Sequence, residues 1–472
     1  MIDIPILSLD INTDAPTALF VQLYEALRER IVSTQLRPGD RLPPSRKLAQ
    51  ELGMSRSTVT TAYEQLIAEG FAHSKAGSGV YISDIGEIEL PSTAIPPTQP
   101  YADSTVSTTR QQPFHPGQPD ARLFPYRQWG KCVAHIARTE PAALVRTDDL
   151  FGDSLLRREI CRYLLDWRGL KAQPAQILIT AGASEALEHC IRTLCEQKDG
   201  IYLEDPCYPP LRAFVENQGI PITQLQMDEL GPIAAEITHN STNAKLAVLT
   251  PSSQFPLGGA LPHARRNAFI NWAKEAEGWI IEDDYDSEFR YAGRPIQSLA
   301  GLDSNQRTLY IGSFAKIFSN GLRLGFVVIP ESLITDFITS IKEFGSKASV
   351  MPQRPLAVFM QNGDYYRHIR RVRRIYAERR QCFIQLLQQH LGEQVSFEDH
   401  KAGMHIAVKL PEELNDRVLS GHLAELGITC LPLSSYYASN ASQNGLLMGF
   451  CGFTEAEMEQ AMLQVKRVIE AM

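Results

Sequence analysis

The apolar positions of this chain change their period along its length. Over residues 17–35, Phe20, Leu23, Leu27 and Ile31 recur at helical spacing and predict one amphipathic helix, which Pro38-Gly39-Asp40 breaks off. In RKLAQELG, Leu48 and Leu52 lie one turn apart, predicting a short second helix with Ser45 as its cap and Gly53 as its stop. Ser55 is placed to cap a third, RSTVTTAYEQLIAEG, with Val59, Tyr63 and Leu66 on one face and Gly70 at its end. FAHSKAGSGVYIS then switches to two strand-like runs around Gly77-Ser78-Gly79. Two helices joined by a tight glycine turn, followed by a hairpin, predict a helix-turn-helix with a wing.

From 84 to 112 the patterning stops. Pro91, Pro96, Pro97 and Pro100 among many Ser and Thr cannot pack a core, so this stretch is expected to be a tether. After Phe114, helical and strand-like runs alternate, as in an α/β protein with a mostly parallel sheet. The expected division is a winged helix-turn-helix part at 1–83, a linker at 84–113 and a larger part at 114–472. The larger part itself splits at about 362, and strand AGMHIAVKL and closing helix TEAEMEQAMLQVKRVI belong to its smaller α/β portion.

Within the larger part, two apolar runs deliver polar residues at their carboxyl ends, where open α/β sheets present ligand sites. Trp279-Ile280-Ile281 leads into Glu282-Asp283-Asp284, and Leu309-Tyr310-Ile311 into Gly312-Ser313-Phe314-Ala315-Lys316. Taken singly, a lysine after a strand is ordinarily solvated and an Asp-Asp pair ordinarily a loop or cap. Together they suit pyridoxal 5'-phosphate (PLP), which needs an amine for a Schiff base, a carboxylate for its ring nitrogen and an anion cradle for its phosphate.

The order and spacing resemble the fold-type I aminotransferases. That resemblance implies Lys316 as the Schiff-base lysine, Asp283 on the ring nitrogen and Tyr285 on the ring hydroxyl. It further implies Ser313 and Arg323 (in GLRLGF) on the phosphate. Ala181-Gly182-Ala183-Ser184 turns from a strand into a helix, an anion site in its own right. It resembles the family's phosphate loop, so Ala183 and Ser184 join the candidates; an ordinary strand-to-helix turn is the alternative. In the family pattern E-D-P-x-Y, Tyr208 becomes the ring that stacks on the pyridine, although an aromatic after a strand is otherwise usually core.

On the third helix Arg56, Ser57, Thr58 and Thr60 face away from the apolar stripe, at the end of a helix able to enter a major groove. RPGDRLPPSRKLAQELGMSRSTV and AEGF…GSGVYI resemble a GntR-type winged helix. This implies operator contacts from Arg46, Ser55, Arg56, Ser57, Thr58 and Thr60, with Lys75 and Gly77 in the wing.

TPSSQFPLGG (250–259) departs from the usual N-P-x-G of aminotransferases, with Phe255 where a hydrogen-bonding asparagine would stand. This departure, IEDDYDSEFRY and the fused winged helix together identify the chain as a member of the MocR/GabR-type regulators. The match runs from Leu19 to Arg467 apart from the linker. It implies a homodimer that binds operator double-stranded DNA and responds to PLP itself or to an amine or amino acid such as γ-aminobutyrate or taurine.

Neither SSYYAS (434–439) nor LLMGF (446–450) holds the arginine with which aminotransferases grip a substrate carboxylate, and the family's inter-subunit tyrosine has no match around 147–152. Sensing is therefore expected over turnover, the other reading being a working aminotransferase with an accessory DNA-binding module.

Composition limits the rest. Net charge is −8, so DNA binding must rest on a local patch. The eight cysteines show neither C-x-x-C nor metal spacing and are expected to be reduced core residues, with no metal implied. No run reaches membrane-spanning length and MIDIPILSLDINTD lacks a basic leader, so a cytoplasmic location is expected. The seven arginines of GDYYRHIRRVRRIYAERR are expected on a solvated or salt-bridged face.

Overall fold

The structure, a computed structural model, describes residues 11–12, 17–86, 112–146, 149–239, 243–293, 295–439 and 443–472. Most of the proline-rich tether, residues 87–111, and positions 147–148 lie outside them. The chain divides into two compact units, Met1–Thr108 and Thr109–Met472.

In the first unit α1 (Leu19–Val32), α2 (Ser45–Glu51) and α3 (Arg56–Ala68) enclose a core with the hairpin β1 (Ala72–Lys75) and β2 (Gly79–Ile82). α1 buries Leu23, Tyr24, Leu27 and Ile31, whereas Phe20 is only half-buried. Ser55 caps α3 as expected, accepting from the Thr58 amide at 3.1 Å. Ser45 does not cap α2. It is the first helical residue, and Pro44, with φ −55° and ψ 134°, is the boundary. A proline there has no amide to satisfy and its fixed φ enters the helix directly, so no hydroxyl cap forms.

The second unit opens with α4 (Tyr126–Thr139) and α5 (Ser154–Arg168). Strands and helices then alternate: β3 (Ile177–Thr180), α6 (Ala183–Leu194), β4 (Gly200–Asp205), α7 (Pro209–Asn217), β5 (Ile222–Asp228), β6 (Gly231–Pro232), α8 (Ala234–His239), β7 (Ala244–Leu249), α9 (His263–Glu275), β8 (Trp279–Asp284), α10 (Leu299–Leu302), β9 (Thr308–Ser313) and β10 (Gly325–Val328). They form one sheet of order β3-β10-β9-β8-β7-β4-β5-β6. Strands β5, β4, β7, β8 and β9 run parallel, while β10 is antiparallel to both of its neighbours.

β3, β4, β7, β9 and β10 are buried almost throughout, which is why they read as largely apolar runs. Alternate residues feed different cores: Ile201, Leu203, Ile281, Leu309 and Ile311 pack toward α6 and α11 (Ile334–Phe344), and Tyr202 and Ile280 toward α9. α12 (Gln353–Gln361) and α13 (Asp364–His390) lead into the smaller portion. There an antiparallel sheet of β11 (Ser396–Phe397), β12 (His405–Lys409), β13 (Leu431–Pro432) and β14 (Gly445–Gly449) packs with α14 (Asp416–Glu425) and α15 (Glu455–Ala471).

Arg379 and Arg380 of α13 are buried, Arg379 pairing with Asp120 at 2.8 Å and Arg380 with Asp399. Among the described residues no helix is long and apolar enough to cross a membrane, and no cluster suits a metal ion.

Candidate cofactor pocket and DNA-reading helix

Parallel strands bring their carboxyl ends to one edge, and a cavity of about 390 Å³ opens there. All eight residues expected at the cofactor line it: Lys316, Asp283, Tyr285, Tyr208, Ala183, Ser184, Ser313 and Arg323. β8 and β9 are paired with Asp283 opposite Ile311, which sets the carboxylate beside the strand that ends in Ser313 and leads to Lys316.

Lys316 Nζ donates to the Gly117 carbonyl at 2.9 Å. Gly117 has φ +70°, and a Cβ there would sit 2.5 Å from Nζ, so a side chain at this position would push the amine aside. Burial lowers the proton affinity of Lys316, opposed by Asp286 and then Asp283. Asp283 is pushed up to about 7, first by burial and then by Asp284 and Glu204. Its Oδ1 has no hydrogen-bond partner among the described residues. An unpaired buried carboxylate oxygen calls for a donor, and a protonated pyridine nitrogen is one.

Gly182, φ +118°, also lines the cavity and starts the 12-residue α6 without a side-chain cap, and the helix's first amides belong to Ala183 and Ser184. Free amides and the helix dipole make this an anion site. Gly325 opens β10 opposite Ser313, and a Cβ on Gly325 would lie 2.8 Å from the Gly182 carbonyl carbon. Arg323 holds a left-handed backbone, φ +47°, a conformation uncommon for a non-glycine residue. The cavity thus fits PLP: an amine, an acceptor for the ring nitrogen and an anion cradle with an arginine at its rim.

Phe255 packs edge-on against Tyr208, Tyr285, His405 and Tyr436, with centroids 5.4–6.0 Å away. Tyr285 has its hydroxyl 3.3 Å from Ser253 Oγ. Asn320, Lys347 and Glu204 also line the cavity and were not anticipated. Glu204 accepts from the Thr250 amide at 3.1 Å and from its hydroxyl at 2.5 Å, anchoring the 250–259 loop. The sequence signal for it is the E-D-P-x-Y motif, which by resemblance singles out the tyrosine and not the glutamate.

In the first unit Arg46, Ser55, Arg56, Ser57, Lys75 and Gly77 are exposed, and Thr58 and Thr60 half-buried. Thr60 donates to the Arg56 carbonyl at 2.9 Å, and Ser55 Oγ lies 2.7 Å from Ser57 Oγ and 2.8 Å from Thr58 Oγ1. The hydroxyls thus organise the helix start, and the two arginines are its exposed charged donors. Arg56 Nε is 3.5 Å from Ser45 Oγ, so the residue that caps nothing touches the reading helix instead. Lys75 lies over the Tyr81 ring in the wing. Arg41, also unanticipated, lies along Gly79.

A winged helix-turn-helix and an aminotransferase-type pocket in one chain define a class: transcription regulators built on an aminotransferase fold. Comparison with known proteins agrees. Residues 19–82 match the family of bacterial regulatory proteins, gntR family, and residues 128–465 match aminotransferase class I and II.

The chain is 31% identical to the probable rhizopine catabolism regulatory protein MocR of Rhizobium meliloti, covering 98% of this chain and 96% of that protein. It is also 31% identical to the pyridoxine biosynthesis transcriptional regulator PdxR of Corynebacterium glutamicum, with 99% of each chain covered. Among solved structures an archaeal alanine:glyoxylate aminotransferase superposes with a TM-score of 0.72 over 78% of this chain and 93% of that one, at 22% identity. The chain belongs to the MocR-type family of helix-turn-helix transcription regulators, proteins that take PLP as cofactor and operator DNA as target.

Proposed function

We propose that the pocket around Lys316 senses a small molecule and that its occupancy alters the affinity of the N-terminal unit for its operator. One observation carries this reading. The cavity is equipped for a ring and a phosphate, but its cationic lining residues besides Lys316, among the described ones, are Arg323 and Lys347. Arg323 lies two residues before Gly325, the partner of Ser313, and the Lys347 amide is held by Glu185 at the start of α6. Both therefore belong to the phosphate end. In the strip where aminotransferases carry a carboxylate-gripping arginine, Leu446, Leu447 and Met448 are buried and apolar. Arg212 donates to the Tyr436 carbonyl and lies 3.6 Å from Asp205, so it is already committed.

In this reading Lys316 carries the cofactor, Asp283 meets the ring nitrogen, Tyr285 the ring hydroxyl and Tyr208 the ring face. Ala183, Ser184, Ser313 and Arg323 hold the phosphate. Bound PLP supplies an aldehyde that condenses with amines and a ring that withdraws electrons. The chain's own part is to keep Lys316 Nζ short of protons by burial, so that a neutral amine is available, and to hold Asp283 ready for a protonated nitrogen.

Arg46, Arg56 and Lys75 supply phosphate contacts, and the Ser55, Ser57, Thr58 and Thr60 end of α3, with Gly77 in the wing, meets the groove. The working form is a cytoplasmic homodimer, with residues 1–83 as reader, 84–113 as tether and 114–472 as sensor. PLP itself is the favoured effector, and the name of the C. glutamicum relative, a pyridoxine biosynthesis regulator, supports it.

The test pairs a gel shift on the DNA upstream of the chain's own gene with steady-state assay of an amino donor and a keto acid. PLP alone is expected to change the shift, with no turnover. Turnover with DNA binding indifferent to PLP would mean an enzyme with an accessory module. A response that appears only after an amino acid is added would rule out PLP as effector.

A further inference from the structure

α13 carries seven arginines, and the packed fold sorts them. Arg379 and Arg380 turn inward to Asp120 and Asp399, Arg373 lies over the Trp167 ring, and Arg367 pairs with Asp364 at 2.7 Å. Arg370, Arg371 and Arg374 are exposed, and among the described residues no carboxylate lies within ion-pairing distance of them. With Arg367 they recur at three- and four-residue spacing, so they share one face of the helix, and Glu378 ends the row a turn further on.

A second helix repeats the pattern. α4 exposes Arg127, Lys131 and Arg138 along one face and contains no acidic residue. Both α4 and α13 pack on α12, which also lacks Asp and Glu. From α4 and α12 to Arg374 of α13, the one helical acid is Asp364, already paired with Arg367. Like charges at this spacing weaken a helix. A chain with 54 acidic against 46 basic residues has carboxylates enough to pair such rows, and here it does not.

We propose that this face of the second unit holds the phosphate backbone of duplex flanking the operator, a DNA contact additional to the winged helix. Charge complementarity carries the choice of partner. Arginine forks phosphate oxygens in two-pronged fashion, and these guanidinium groups have no internal carboxylate to give up first. From Arg367 to Arg374 the row covers about 10 Å of helix axis, and a duplex strand presents a phosphate every ~3.4 Å of its own axis, so several can be met at once. Backbone contacts carry no base information, so the flank is held whatever its sequence. The inference needs the DNA target of the chain but not the sensing role of the pocket.

The test is a salt series of operator binding by the full chain, read by fluorescence anisotropy in whichever state, PLP-free or PLP-saturated, binds more tightly. Two duplexes from the DNA upstream of its gene are compared, one trimmed to the sites the winged helix protects and one with flanking duplex on both sides. Wild type is expected to bind the longer duplex about tenfold more tightly, with a salt slope steeper by about two to three. The triple variant Arg370→Gln, Arg371→Gln, Arg374→Gln should lose that gain and equal wild type on the trimmed duplex. Lysine at the same three positions should keep most of the gain, since the charge remains. No gain in wild type, or a gain the glutamine variant keeps, would mean a merely solvated face and overturn the proposal. Equal losses on both duplexes would put the defect in the winged helix and overturn it as well. A change of oligomeric state in the variant, by sedimentation, would make the face a contact between copies of the chain and refute it. If the triple variant does not fold, Arg374→Gln is read alone: a slope lower by about one on the longer duplex supports the proposal, and an unchanged slope refutes it.

Discussion

The reading helix and the cofactor pocket use charge in opposite ways. Arg46, Arg56 and Lys75 stand exposed on small elements, where water solvates them until phosphate replaces it. Asp283, Asp286 and Lys316 lie near strand ends where burial shifts all three, and Lys316 is coupled to each of the two carboxyls. Exposed contacts should therefore be separable and nearly additive, while the buried groups should act as a unit. Substitutions can break or sharpen that contrast.

The largest effect is expected from Lys316→Ala. Borohydride should fix the cofactor to the wild-type chain and to none of the variant, as read by mass spectrometry, with operator DNA still bound by the reader.

Asp283→Asn comes next and acts on the apo-protein. The folded carboxyl ionises only at about 7, against ~4 for an unfolded one, so it binds a proton in the native state that the unfolded state has released. Stability is thus lost as pH rises from ~4 to about 7. The asparagine variant escapes this loss. By urea denaturation it should gain on the wild type as pH rises from 5 to 8, by about 2 kcal/mol, a figure discounted because the cavity admits water. A difference independent of pH would show that Asp283 is not held protonated.

Arg46→Ala and Arg56→Ala should each weaken operator binding by about tenfold and lower the salt slope by about one, leaving PLP affinity untouched. In the double variant the two losses should sum. The smallest effect is expected for Ser55→Ala, which removes the α3 cap at a cost of about 1 kcal/mol in thermal unfolding.

The same contrast explains what could be read from sequence. The reader was almost wholly readable because helical periodicity, the Ser55 cap and the glycine stops are local. The miss at Ser45 was local too, since Pro44 took the boundary. In the pocket, Lys316, Asp283, Ser313 and Arg323 announced themselves through position in strand-end motifs.

Glu204, Lys347 and Gly117 did not, because their roles depend on which strands become neighbours. Gly117 reaches Lys316 across 199 residues. Nor does an apolar run reveal its direction, so the insertion of antiparallel β10 between β9 and β3 was not foreseeable. The arginines of α13 show the same limit. Spacing put them on one helix, but only the packed fold sends Arg379 inward to Asp120.

The central claim is that the state of Lys316 governs the grip on DNA, and binding linkage tests it most directly. Operator affinity of wild type and Lys316→Ala should be measured by fluorescence anisotropy with and without saturating PLP, at one salt concentration. Wild-type affinity should change by about fivefold or more on adding PLP, and that of the variant should not change. Equal responses in the two chains, or none in the wild type, would contradict the account.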